Sequence, residues 1–227
     1  MSKLTEEISM LKEEVVEMWT LVHSQLTKSL SALLNFDKDL AREVLIVEKR
    51  VNSTELKIDR NCEDIFAIFS PVAIDLRFLL AVLKINTNLE RTGDIAEGIS
   101  KLIIDTEKPF SKELLDTTKV VEMFGEAIQM IEEIQEAFEK EDSSAARSIF
   151  KRDEFLDKIN ITANKLITDY LKTHPDDMEQ ALNVLSIIRR LERVGDQCEN
   201  IAEEIIFFIE AKVIRHNTKK ERQKNGN

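Results

Sequence analysis

The chain has 227 residues, and its 43 acidic residues outnumber its 32 basic ones for a formal charge of −11. That balance argues against a general nucleic-acid binder, because phosphate contacts need a cationic surface; it suits solubility and the attraction of metal cations. Five glycines and three prolines are too few for the turns of a β-rich fold, so the long runs rich in Leu, Ile, Glu and Lys read as long helices.

Six helices are predicted, in chain order. The first runs from about Glu6 to Asn35, with Ile8, Leu11, Val15, Met18, Val22, Leu26 and Leu33 tracing one apolar stripe at spacings of three and four. Asp37 is placed to cap the second, from about Lys38 to Phe69, whose apolar side carries Leu40, Val44, Val47, Val51, Leu56 and Ile65. Ser70-Pro71 reads as an N-cap followed by proline at the first helical position of a third helix, about Pro71 to Asp105. Glu107-Lys108-Pro109-Phe110 is the linker between halves, and Ser111 caps a fourth helix containing Leu114, Val121, Phe124, Ile128, Ile131 and Ile134. Asp142-Ser143-Ser144 starts the fifth, about Ser143 to Lys172. Thr173-His174-Pro175 repeats the role of Ser70-Pro71, leading into a sixth helix from about Pro175 to Ala211. Beyond Arg215 the chain is basic and polar and is expected to fray. The expected fold is all-α, two tandem three-helix bundles, residues 1–107 and 108–227, with a single six-helix bundle as the competing geometry.

Cys62 and Cys198 lie within helical patterns, without a close cysteine or histidine partner, so reduced structural thiols in a cytoplasmic protein are expected. The acidic, amphipathic start is not a signal peptide, and no stretch has the apolar length of a bilayer span.

The strongest signal is a repeat. Leu89-Glu90-Arg91-Thr92-Gly93-Asp94 recurs 102 positions later as Leu191-Glu192-Arg193-Val194-Gly195-Asp196, with one substitution. The fold is therefore built from two similar units. Each copy sets two carboxylates four residues apart on one helical stripe, continued by Glu97 in the third helix and by Glu199 and Glu203 in the sixth. Like charges so spaced repel, and the mid-helix glycines, Gly93 and Gly195, each cost about 1 kcal/mol relative to alanine. Something must approach the backbone closely at both. The second and fifth helices offer further oxygens, at Glu48 with Asn52 and at Asp153 with Asp157. Antiparallel hairpins would bring each set alongside its motif, so that two helices converge on one acidic patch in each half. Such a patch suits a hard cation. Alternatively, Arg91 and Arg193 tie it into a structural salt-bridge network.

At these residues the chain resembles the PhoU family. The resemblance rests on Ser70-Pro71-Val72-Ala73-Ile74-Asp75-Leu76-Arg77, on the two Glu-Arg-x-Gly-Asp segments, and on the run from Cys198-Glu199-Asn200-Ile201-Ala202-Glu203 through Phe207-Phe208 to Arg215-His216. It implies two three-helix bundles with multinuclear iron or zinc clusters on each, held by Glu90 with Asp94, Glu192 with Asp196, and Asp153 with Asp157. Glu48 is followed by Asn52 where the family pattern has aspartate, which removes a charge from the first site. Gly98 also departs, standing where the other half has Asn200. The resemblance further implies a non-catalytic, cytoplasmic negative regulator of phosphate uptake and of the phosphate-starvation response. In that role it couples a phosphate ABC transporter ATPase to a sensor histidine kinase and often forms a homodimer.

Two other readings compete. A di-iron oxidase needs Glu-x-x-His on two helices, but Thr20, Leu171 and Val213 stand three residues before His23, His174 and His216. A metal-free structural helical scaffold is the third reading, told apart from the cluster-binding regulator by the metal content of purified protein.

Overall fold

The computed structural model describes residues 2–214, and every regular element among them is helical. The helices are α1 (Lys3–Asn35), α2 (Lys38–Phe69), α3 (Ala73–Asp105), α4 (Lys112–Thr118), α5 (Val120–Glu139), α6 (Ser143–Leu171) and α7 (Met178–Glu210), with a 3-10 turn at Pro175–Asp177. The five long helices, 29 to 33 residues each, are about 45–50 Å from end to end. Polar caps start several of them. The Asp37 carboxylate accepts from the backbone N–H of Asp39 and Leu40, and Asp142 does the same for Ser144 and Ala145.

Three expectations need correction. The fourth helix is two, because Lys119 adopts a left-handed backbone (φ 57°). Thr118 before it turns its hydroxyl back onto the Leu114 carbonyl, and the β-branched neighbours Thr117, Thr118, Val120 and Val121 weaken the helix there. Ser70 does not cap α3. It ends α2 in the left-handed region (φ 47°), Pro71 is buried in the connection, and α3 begins at Ala73 behind an N-cap, Val72, that makes no side-chain bond. Pro175 opens the 3-10 turn and α7 begins at Met178. The basic stretch expected to fray lies outside the described residues.

The halves share one apolar core. α2 packs on α1 and α3, and α6 packs on α5 and α7, while α3 lies along α7 and α1 against α5 between the halves. The contacts of Lys84 with Glu204, Asn88 with Asn200 and Asn183 with Thr106 run in opposite chain directions, so α3 and α7 are antiparallel. At one end four helices contribute one ring each to an aromatic cluster. Trp19 and Phe78 lie 5.3 and 6.1 Å from Phe138, and Phe208 stands edge-on to Phe78 at 5.5 Å. The Arg77 Nε–H, from the segment that resembles the family signature, donates to the Phe208 carbonyl at 3.3 Å and so fastens the start of α3 to the end of α7. Cys62 and Cys198 are both buried and unpaired with each other.

Candidate metal centres

On α2 the buried positions fall at alternating spacings of four and three: Val44, Glu48, Val51, Ile58, Cys62 and Ile65, with Glu55 half-buried in the step between Val51 and Ile58. The carboxylates therefore stand inside the apolar stripe. Leu56, expected on that stripe, is 65% exposed, one position out of register. α6 repeats the arrangement, with Asp153 between Ile149 and Leu156 in its buried face. Glu48 is 4% exposed and Asp153 is 2% exposed.

The motif glycines face these two side chains. A Cβ on Gly93 would stand 2.9 Å from both Glu48 Oε2 and Gln25 Oε1 and 3.2 Å from Val51 Cγ1. A Cβ on Gly195 would overlap Asp153 Oδ1 and stand 3.0 Å from Leu156 Cδ2. The group that needs the missing side chain is thus a carboxylate from the neighbouring helix, held against the motif helix in each half.

In the second half Asp153, Asp196 and Glu199 each place one carboxylate oxygen within 4.8 Å of the others. Two of the three are buried, and Asp196 is half-buried. The Cys198 thiol is raised by burial first and then by the carboxylates of Asp153 and Glu199, so it stays protonated beside them. Glu192 and Asp157 are half-buried and lie outside this trio.

In the first half the buried carboxylate has an amide partner: Gln25 Nε2 donates to Glu48 Oε2 at 2.7 Å. The other oxygen, Glu48 Oε1, is buried with no hydrogen-bond partner among the described residues. Burial raises the Glu48 carboxyl and the Gln25 bond lowers it, with Asp94 and Glu97 adding repulsion. Glu90 is pushed up to about 7 by burial, then by Asp94, Glu55 and Glu48. Glu55 is raised by burial, Asp59 and Asp94. Asn52 is exposed, one turn from Glu48. The charge that sequence reasoning missed is Glu55. The signal was available, because Glu48, Asn52, Glu55 and Asp59 follow one another at spacings of four, three and four. In α6 the same offsets from Asp153 give Asp157, Asn160 and Asn164, so the amide and the acid exchange places between the halves.

The donors at both places are carboxylate oxygens in or beside the helix interface, with Glu48, Asp153 and Glu199 buried, Glu55, Glu90 and Asp196 half-buried and Asp94 exposed. Such a set fits a hard cation, which would neutralise the repulsion that adds to burial in lifting Glu90. Asp153, Asp196 and Glu199 would hold it in the second half; among the described residues no first-half acids gather as closely, and Glu48, Glu55, Glu90 and Asp94, which repel one another there, are the ones that would have to converge on an ion. The salt-bridge alternative finds no support at the motif arginines, since neither Arg91 nor Arg193 forms an ion pair within 4.0 Å among the described residues.

Comparisons with known proteins give the same frame. The PhoU domain family model matches twice, at residues 15–103 and 120–205. The phosphate-specific transport system accessory protein PhoU of Edwardsiella tarda is 31% identical over 211 residues, covering 92% of this chain and 86% of its own. The protein of the same name from Escherichia coli K12 is 30% identical over the same shares. The crystal structure of PhoU from Pseudomonas aeruginosa superposes with a TM-score of 0.85 at 28% identity, over 92% of this chain and all of that one. That of the phosphate transport system regulatory protein PhoU from Streptococcus pneumoniae gives 0.81 at 25% identity, over 93% and 99%. With both halves matched and the whole fold shared, the chain belongs to the PhoU family.

Proposed function

We propose that this chain is a non-catalytic accessory protein of a phosphate transport system, acting as a negative regulator of phosphate uptake and of the phosphate-starvation response. The observation that carries the reading is the likeness along almost the full chain to relatives named as accessory proteins of phosphate-specific transport. In this reading the protein works in the cytoplasm as an adaptor between the transporter ATPase and a sensor histidine kinase, and pairs as a homodimer. No helix of the described residues is long and apolar enough to cross a membrane. In this reading the chain meets the transporter at its cytoplasmic face. The two units are residues 1–107 and 108–227, divided at a linker pinned to the start of α7 by Lys108 with Asp177 and by Gln180 with Pro109 and Ser111.

Each unit would carry a metal cluster. Bound ions supply charge neutralisation and cross-link neighbouring helices. The all-oxygen donor set suits ferric iron better than zinc, which favours nitrogen and sulfur. The role is tested by isolating the tagged full chain from phosphate-replete cells. Recovery of the transporter ATPase and the kinase, with constitutive phosphatase expression on deletion of the gene, is expected. Normal repression after deletion would refute the regulatory role.

A further inference from the structure

A groove of about 370 Å³ runs between α3 and α7 and is lined by Arg91, Lys101, Arg190 and Arg193 together with Asp94 and Glu97. In a chain of net charge −11, four cations gathered in one place should find carboxylate partners readily. Among the described residues only Lys101 does, with Glu97 at 2.6 Å. The side chains of Arg91, Arg190 and Arg193 form no ion pair or hydrogen bond among the described residues, and Arg190 Nε is buried without an acceptor. A buried guanidinium N–H left unsatisfied is costly, and an acceptor brought by a ligand removes that cost. The groove also depends on a glycine. A Cβ at Gly98 would collide with Arg190 Nη1 and stand 3.0 Å from its Cζ, so the guanidinium lies directly on the backbone of α3.

We propose that this groove is a binding site for inorganic phosphate. Forked guanidinium groups match the oxygens of a tetrahedral oxyanion, and three of them here have donors to spare. The carboxylate in the lining that is not assigned to the metal, Glu97, decides which oxyanion. Phosphate near neutral pH still carries a proton and can donate it in a hydrogen bond to Glu97. Sulfate has no proton to offer and meets only repulsion there. The inference rests on the groove and stands whether or not the accessory role holds. If that role holds, the protein has a direct means of reading the ion whose uptake it controls.

The test is calorimetric titration of the full chain with inorganic phosphate at constant ionic strength, on protein as purified and on chelator-treated protein. The site predicts one saturable event, insensitive to chelator and at least about tenfold weaker with sulfate. It also predicts about tenfold or greater weakening in both Arg190→Gln and Arg91→Gln/Arg193→Gln. Arg91 and Arg193 are exposed, so the double variant retains the fold, to be checked by its helical circular dichroism. Absence of saturable heat, equal affinity for sulfate, or binding unchanged by the arginine substitutions overturns the proposal. So does binding lost on chelation, which would place the anion on a bound metal.

Discussion

The two halves solve one geometric problem with different chemistry. In each, a carboxylate on the outer helix, Glu48 or Asp153, sits in the apolar stripe and presses on a motif glycine of the inner helix. In the first half an amide, Gln25, holds that carboxylate. In the second, two more acids, Asp196 and Glu199, crowd it. The α3–α7 contact diverges in the same way. Asn88 meets Asn200 at one end, with Asn200 Nδ2 donating over 3.5 Å, while at the equivalent place on the other side Arg190 lies on Gly98. Gly98, the counterpart of Asn200, leaves the room that Arg190, the counterpart of Asn88, occupies. A duplicated fold keeps its backbone geometry more strictly than the polar groups it brings together.

The largest predicted break of this comparison is at the glycines. Gly195→Ala puts a methyl into a short, buried aspartate and should cost about 2–3 kcal/mol by chemical denaturation, despite the better helix propensity of alanine. Gly93→Ala meets the ends of longer side chains that can give way, and should fall within about 1 kcal/mol of neutral. Equal losses would show that the two contacts are alike after all. Next, Gly98→Ala meets the end of the flexible Arg190 side chain, so it should fall within about 1 kcal/mol of neutral in the native background and stabilise by up to about 1 kcal/mol beside Arg190→Ala, a coupling that a double-mutant cycle reads directly.

The smallest expected effect is electrostatic. In the folded, metal-free chain Glu90 keeps its proton up to about pH 7, against 4.5 for an ordinary glutamate. Between those values the folded state binds more protons than the unfolded state, so stability falls as pH rises from about 4.5 to about 7. Glu90→Gln should raise the stability of chelator-treated protein by about 1 kcal/mol at pH 8 and leave it unchanged near pH 4, as read from thermal unfolding at the two pH values.

Much of this was legible in the chain. The stripe from Leu11 through Val15, Met18, Val22 and Leu26 is regular, and all five residues are buried. The duplicated motif led directly to the glycines and to the expectation of a close approach at each. What escaped has physical causes. Glu55 lies on the same face as Glu48, but a carboxylate in an apolar stripe looks like a solvated position until the facing helix is known. Leu56, an apolar residue one step out of register, invited the wrong choice of stripe. The break at Lys119 carries no glycine or proline, so nothing in the composition announced it. Glu199 shared a stripe with Asp196, yet its approach to Asp153 depends on how α6 lies against α7, which spacing within one helix cannot specify.

The most direct test of the account is elemental analysis of the dialysed full chain beside an Asp153→Asn/Asp196→Asn variant of equal helicity. Gathered carboxylates that hold a cation predict near-stoichiometric metal, iron above zinc, in the first and loss of the second-half share in the variant. Metal-free native protein, or a variant that retains the same metal, would contradict the claim that these acids were brought together to hold an ion.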